Sequence, residues 1–155
     1  MIVSTEHFSF TVSDLDESLR FFCDLLGLEA TPAILVENEG VRKIIGMADA
    51  RLRISLVKIP DGKNIELIQY LSPAGIRQDL ATCNTGVAHV AFNVRGIEEM
   101  YKDLKAKGVE FVSAPVWAPG NDGTGKWAVC YLRGPDGITL EFIERMVVEG
   151  TVRDE

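Results

Sequence analysis

The sequence predicts an α+β fold built from one unit, a strand, a helix and three strands, written twice, and three observations lead to it. The pattern His-x-x-Phe-x-Val occurs at His7 to Val12 and again at His89 to Val94. Each copy runs into an acidic segment and then a helical stretch stopped by a glycine, Gly27 or Gly108, which stand 20 and 19 residues after their histidines. Each copy closes on an apolar strand that carries one acid among hydrocarbon neighbours: Glu66 in Asn64 to Gln69, and Glu141 in Thr139 to Glu144. His7 and Glu66 therefore correspond to His89 and Glu141. The chain has only two histidines, and their falling at equivalent positions of a repeat is hard to ascribe to chance.

The first module takes about residues 5–71. Residues 6–12 alternate with a strand period, placing Phe8, Phe10 and Val12 on a face expected to meet a helix, and His7, Ser9 and Thr11 on a face free to line a cavity. Ser13 or Asp14 suits a helix N-cap, and Asp16 and Glu17 in the first turn complement the helix dipole. Leu15, Leu19, Phe22 and Leu26 then form a core-facing stripe, and Gly27 supplies a left-handed stop. Residues 28–37 read as a strand, 41–50 as either a short helix or a loop over the site, and 51–57 as a strand. Asp61-Gly62 is a hairpin signal leading into the strand of Glu66.

Residues of about 72–85, with Pro73 and Gly75, read as a linker. The second module, about 86–145, repeats the plan. His89, Ala91 and Asn93 share one strand face, Ile97, Met100, Tyr101 and Leu104 form the helical stripe, and Val109 to Ser113 is a strand. Residues 114–126 are rich in Pro and Gly, which predicts an irregular and functional loop. Trp127 to Leu132 is a strand, Gly134-Pro135-Asp136-Gly137 a turn, and Ile138 to Ile143 the last strand. The tail from Glu149 is polar and expected to be loose.

Composition narrows the function. At 155 residues, with 46% apolar and 25% charged residues, the chain is expected to be one soluble globular domain. No apolar run approaches the length of a membrane span and no signal-like segment opens the chain, so a cytoplasmic location and no membrane partner are expected. A net charge of −7 repels a phosphate backbone, which argues against nucleic acid and leaves a small-molecule substrate. Cys23, Cys83 and Cys130 are an odd number without paired spacing, and Cys23 and Cys130 read as small buried side chains.

In a strand, Glu66 and Glu141 point away from their apolar neighbours and toward the cavity side. A lone strand histidine or acid is usually structural; the coincidence of four metal-capable residues at two pairs of repeat-equivalent positions raises them above that. Two imidazoles and two carboxylates suit a divalent ion such as Zn, Ni, Co, Mn or Fe, with positions left for substrate. Thr11, Asn93 and Tyr70 are candidates to line the same cavity, although a plain sheet role accounts for each. Trp117 and Trp127 either cover substrate or pack the loop.

Residues His7 to Phe22 with Leu25-Leu26-Gly27-Leu28, then His89-Val90-Ala91-Phe92, then Gly134 to Glu141, resemble the vicinal oxygen chelate superfamily over about residues 5–145. That superfamily includes glyoxalase I, methylmalonyl-CoA epimerase, extradiol dioxygenases, and the fosfomycin and bleomycin resistance proteins. The resemblance implies two tandem βαβββ modules forming a curved mixed sheet around a metal-binding cavity, with His7, Glu66, His89 and Glu141 as the metal ligands. It implies a lyase or isomerase in which an ion polarises a carbonyl while a carboxylate, Glu141 or in exchange Glu66, removes the proton from the adjacent carbon. The ligand set is closest to glyoxalase I. The epimerase usually has Gln in place of Glu66, the dioxygenases and fosfomycin transferases use two His and one Glu, and bleomycin-type binders lack the set. A homodimer is implied by resemblance alone.

Overall fold

The computed structural model describes residues 1–120 and 125–146, and the chain divides into two compact units, Met1–Gln78 and Asp79–Glu155. Each unit is a mixed five-stranded sheet with few helices, the α+β arrangement expected from the repeat.

In the first unit, β1 (His7–Thr11) is followed by α1 (Leu15–Arg20), which continues as a wider π turn over Phe21–Leu25. Asp14 is the N-cap: its side chain accepts from the Glu17 amide at 2.9 Å, satisfying a donor the first turn leaves open. Gly27, at φ 72°, ends the helix as its position suggested. Leu15 and Phe22 are fully buried, while Leu19 and Leu26 are half-buried. β2 (Glu29–Ala30) and β3 (Ile34–Val36) both pair with β4 (Arg51–Lys58), so the expected strand over 28–37 is interrupted between them. The break falls at Pro32, which has no amide to give the ladder. The ambiguous 41–50 segment is a helix, α2 (Glu39–Ile45), capped by Asn38. β4 turns at Asp61-Gly62 into β5 (Asn64–Ser72), which pairs antiparallel with β4 and parallel with β1.

In the second unit, β6 (His89–Asn93), α3 (Ile97–Ala106), β7 (Glu110–Phe111), β8 (Val116–Pro119), β9 (Lys126–Arg133) and β10 (Thr139–Met146) repeat this order, with no helix in the place of α2 among the described residues. Gly108 has φ 89° just past α3. The Pro and Gly content of residues 114–126 predicts an irregular loop, but β8 lies within them and pairs with β9, Val116 opposite Val129 and Pro119 opposite Lys126. Tertiary pairing overrides composition here because the strand is at the sheet edge, where a proline need not donate. The remainder of that segment, Asn121 to Thr124, lies outside the described residues, as does the tail from Glu149. β7 and β8 thus repeat the interruption of β2 and β3, again with a proline, Pro115, at the break.

The helix covers one face of each sheet. Ile65, Leu67, Val57 and Leu52 complete the first core with Leu15 and Phe22; Ile97, Leu104, Leu132, Leu140 and Phe142 form the second. Phe111 and Phe92 each meet the Phe142 ring edge-on with centroids 6.4 Å apart. The apolar face of β1 is only partly covered: Val12 is buried and Phe10 half-buried, but Phe8 is 44% exposed.

Equivalent residues tie the closing strand to the helix in both units. Three positions after Glu66, the Gln69 amide donates to the Ser13 carbonyl at 2.9 Å and accepts from Arg53 at 3.3 Å. Three positions after Glu141, the Glu144 carboxylate accepts from the amides of Gly96 and Ile97 at 2.8 and 3.0 Å, at the start of α3.

Candidate functional site

Strand register places the four residues as two pairs. In the first unit His7 lies opposite Asn64 and Ser9 opposite Glu66; in the second His89 lies opposite Thr139 and Ala91 opposite Glu141. In both, the acid is two residues beyond the partner of the histidine. Because side chains two apart on a strand share a face, histidine and acid converge on the side away from the helix. His7 Nε2 stands 3.4 Å from a Glu66 carboxylate oxygen, and His89 Nε2 stands 3.0 Å from one of Glu141. The acids are largely enclosed, with side chains 20% and 14% exposed, while the imidazoles are more open at 38% and 41%.

These spacings suit two jobs. Each pair can share a proton. Each can also offer two donors to one cation, since ligands about 2.1 Å from an ion stand about 3.0 to 3.4 Å apart across the coordination angles common for such ions. The His7 Nδ1 lies against the Glu6 carboxylate, which orients the ring and leaves Nε2 toward Glu66. Among the described residues, no group of three or more His, Cys, Asp or Glu side chains is gathered at one point. The structure therefore brings His7 to Glu66 and His89 to Glu141, each pair within its own unit.

The other residues singled out from sequence take various roles. Asn93 accepts a hydrogen bond from Arg145, whose guanidinium lies over the Trp127 ring, 4.6 Å from its centroid. Trp117 donates from its indole nitrogen to Glu98 of α3 at 3.0 Å, the packing role. Thr11 is exposed, and Tyr70 pairs across the sheet with Leu52.

Cross-strand neighbours of the two acids were not legible as site residues, because only the register of β4 and β9 reveals them. Leu56 lies beside Glu66, and Tyr131 lies beside Glu141 with its ring 5.4 Å from that of His89. Beyond Leu56, at the interruption between β2 and β3, an open recess of about 470 Å³ is lined by Thr31, Pro32, Ile34, Ile54, Ser55, Leu56 and Glu66.

Comparison with known proteins finds relatives over nearly the whole chain. A 2-epi-5-epi-valiolone epimerase from an Actinomyces species is 29% identical over 146 residues, covering 91% of this chain and 79% of that protein. The crystal structure of a glyoxalase family protein from Bacillus cereus is similar with a TM-score of 0.82 and 28% identity, over 94% of this chain and 96% of that one. The trypanothione-dependent glyoxalase I of Leishmania major shares the fold at 16% identity and a TM-score of 0.63, over 92% of this chain and 87% of that one. The model of the Glyoxalase/Bleomycin resistance protein/Dioxygenase superfamily matches residues 4–142, which takes in both histidine and acid pairs, and the chain belongs to that superfamily.

Proposed function

We propose that this protein is a metal-dependent isomerase or lyase that moves a proton at a carbon beside a carbonyl, with epimerisation as its leading form. The observation that carries the reading is the pair of His–Glu couples set at the same register in two equivalent sheets. Similarity to the valiolone-type epimerase favours epimerisation; the ligand types His, Glu, His, Glu keep glyoxalase I-like lyase chemistry as the second form.

His7, Glu66, His89 and Glu141 would together hold one divalent ion, a set that needs both pairs, brought together within one chain or across a homodimer. When bound, the ion supplies Lewis acidity toward a substrate carbonyl. The histidines stay neutral ligands. Glu141, as the free carboxylate of the turnover, would take the proton from the carbon beside the carbonyl, the C–H electron pair moving toward the carbonyl oxygen; Glu66, carrying a proton in that turnover in place of binding the ion, would give it to the opposite face of the carbon, and the reverse turnover restores both acids. Two acids at repeat-equivalent positions suit such an exchange, in which substrate and product differ only in the face that carries hydrogen.

Elemental analysis of the protein purified without chelator tests the site. About one ion per chain is expected in the wild type, lost in both His7→Ala and Glu141→Ala; no ion, even after reconstitution, would leave a metal-free binding protein on the same fold. Proton NMR in heavy water, on metal-loaded protein with candidate ketones, acyl-CoA esters and a glutathione hemithioacetal, then reads the chemistry. Deuterium entering the carbon beside the carbonyl with loss of its configuration identifies an epimerase, and conversion of the hemithioacetal a lyase.

A further inference from the structure

The recess beside Glu66 is lined by residues of the first unit. It opens where Pro32 interrupts the second strand of the sheet. Its walls are largely hydrocarbon: Ile54 and Leu56 of β4, Ile34 of β3, and Pro32. The two hydroxyl residues in the wall are already engaged, since Ser55 Oγ donates to the Thr31 carbonyl at 2.7 Å and Thr31 Oγ1 accepts from the Leu56 amide at 3.0 Å. Leu56 is the cross-strand neighbour of Glu66, and the acid is the one charged residue in a largely hydrocarbon lining. At about 470 Å³ the volume falls in the range of small-molecule sites. In the second unit the equivalent position beside Glu141 is Tyr131, so hydrocarbon adjoins Glu66 and a phenol adjoins Glu141.

We infer, resting on the function proposed above, that the substrate carries a hydrocarbon substituent next to its oxygenated carbons, and that the recess of Ile34, Ile54 and Leu56 receives it. An apolar wall adjoining one charged group selects a ligand of the same polarity pattern. A ligand polar along its whole length would strip water from its hydroxyls here without regaining partners. The recess thereby sets both the substrate class and the orientation, directing the oxygenated end toward the acid.

The probe is a homologous series of straight-chain 1-hydroxy-2-alkanones lengthened one methylene at a time, neutral molecules with two neighbouring oxygens. Their binding to the full chain is measured by calorimetry, with and without reconstituted zinc. Affinity is expected to rise about fourfold per methylene until the recess is full and then to level off. Ile34→Trp adds bulk to the lining from a side chain that is 59% exposed; with thermal unfolding showing it folded, it should bring the plateau forward to shorter chains. Ile54→Asn should flatten the rise while thermal unfolding confirms a folded protein. Affinities independent of chain length, no binding of any member, or a plateau that Ile34→Trp leaves in place would each overturn the inference. A chain-length series that survives in a protein without metal or proton exchange would instead remove the enzymatic reading and keep the recess.

Discussion

Replacing Glu144 by Ala should destabilise the protein by about 2 kcal/mol, through the start of α3. That helix has Gly96 at its N-cap, with no side chain to satisfy the amides its first turn exposes. The Glu144 carboxylate does so from the neighbouring strand, accepting from Gly96 N and Ile97 N at 2.8 and 3.0 Å. A hydrogen bond to a charged group contributes roughly 1.5 to 3 kcal/mol when well enclosed. Glu144 is only half-buried, so screening brings each bond to about 1 kcal/mol and the pair to about 2 kcal/mol. In a cooperative chain of 155 residues, a loss of about 2 kcal/mol lowers Tm by roughly 4–8 °C. Glu144→Gln keeps an acceptor but no charge, as Gln69 does in the first unit, and should lose about half as much. Urea unfolding followed by circular dichroism measures both, with the denaturant slope checked for constancy. An alanine variant within about 0.5 kcal/mol of wild type, or a glutamine variant as weak as the alanine one, would refute the capping role.

Three further outcomes are expected. Leu140→Ala, at a fully buried position of the second core, should cost about 2–5 kcal/mol by leaving a cavity, whereas Phe8→Ala should cost clearly less because Phe8 is 44% exposed; chemical denaturation ranks them. The Arg53 guanidinium, forked onto both oxygens of Asp16 at 2.8 and 2.9 Å, holds that carboxyl below its ordinary range. A lowered folded-state value means stability that is present above the ordinary carboxylate range and lost as pH falls through the depressed value. Asp16→Asn should therefore be less stable than wild type at neutral pH and converge on it in acid, as thermal unfolding across pH would read. Burial pushes the Cys130 thiol up to about 11, with Glu98 and Glu141 adding to the shift, while Cys83 is exposed. A thiol reagent at neutral pH should modify Cys83 rapidly and Cys130 only on unfolding, as mass spectrometry of the labelled peptides would show.

The sequence by itself determined the repeat, the opening strand and helix and the closing strand of each copy, the helix stops at Gly27 and Gly108, and the correspondence of His7 and Glu66 with His89 and Glu141. These follow from local chemistry: strand and helix periods, caps and stops act over a few residues, and two copies of one pattern confirm each other. The choice of Asp14 over Ser13 as N-cap and of a helix at 39–45 came from the structure. Tertiary structure alone decided what depends on which strands lie side by side. Composition argued for an irregular segment at 114–126, yet Val116–Pro119 is a strand because the edge of β9 was available to pair with it. Phe8 carries the pattern of a core residue and remains exposed, since periodicity assigns a face but not what covers it. The register of β4 against β5 likewise put Leu56 beside Glu66, and that of β9 against β10 put Tyr131 beside Glu141. The sequence names the acids, but pairing between distant segments supplies their neighbours, because a ladder of hydrogen bonds joins residues that no spacing along the chain connects.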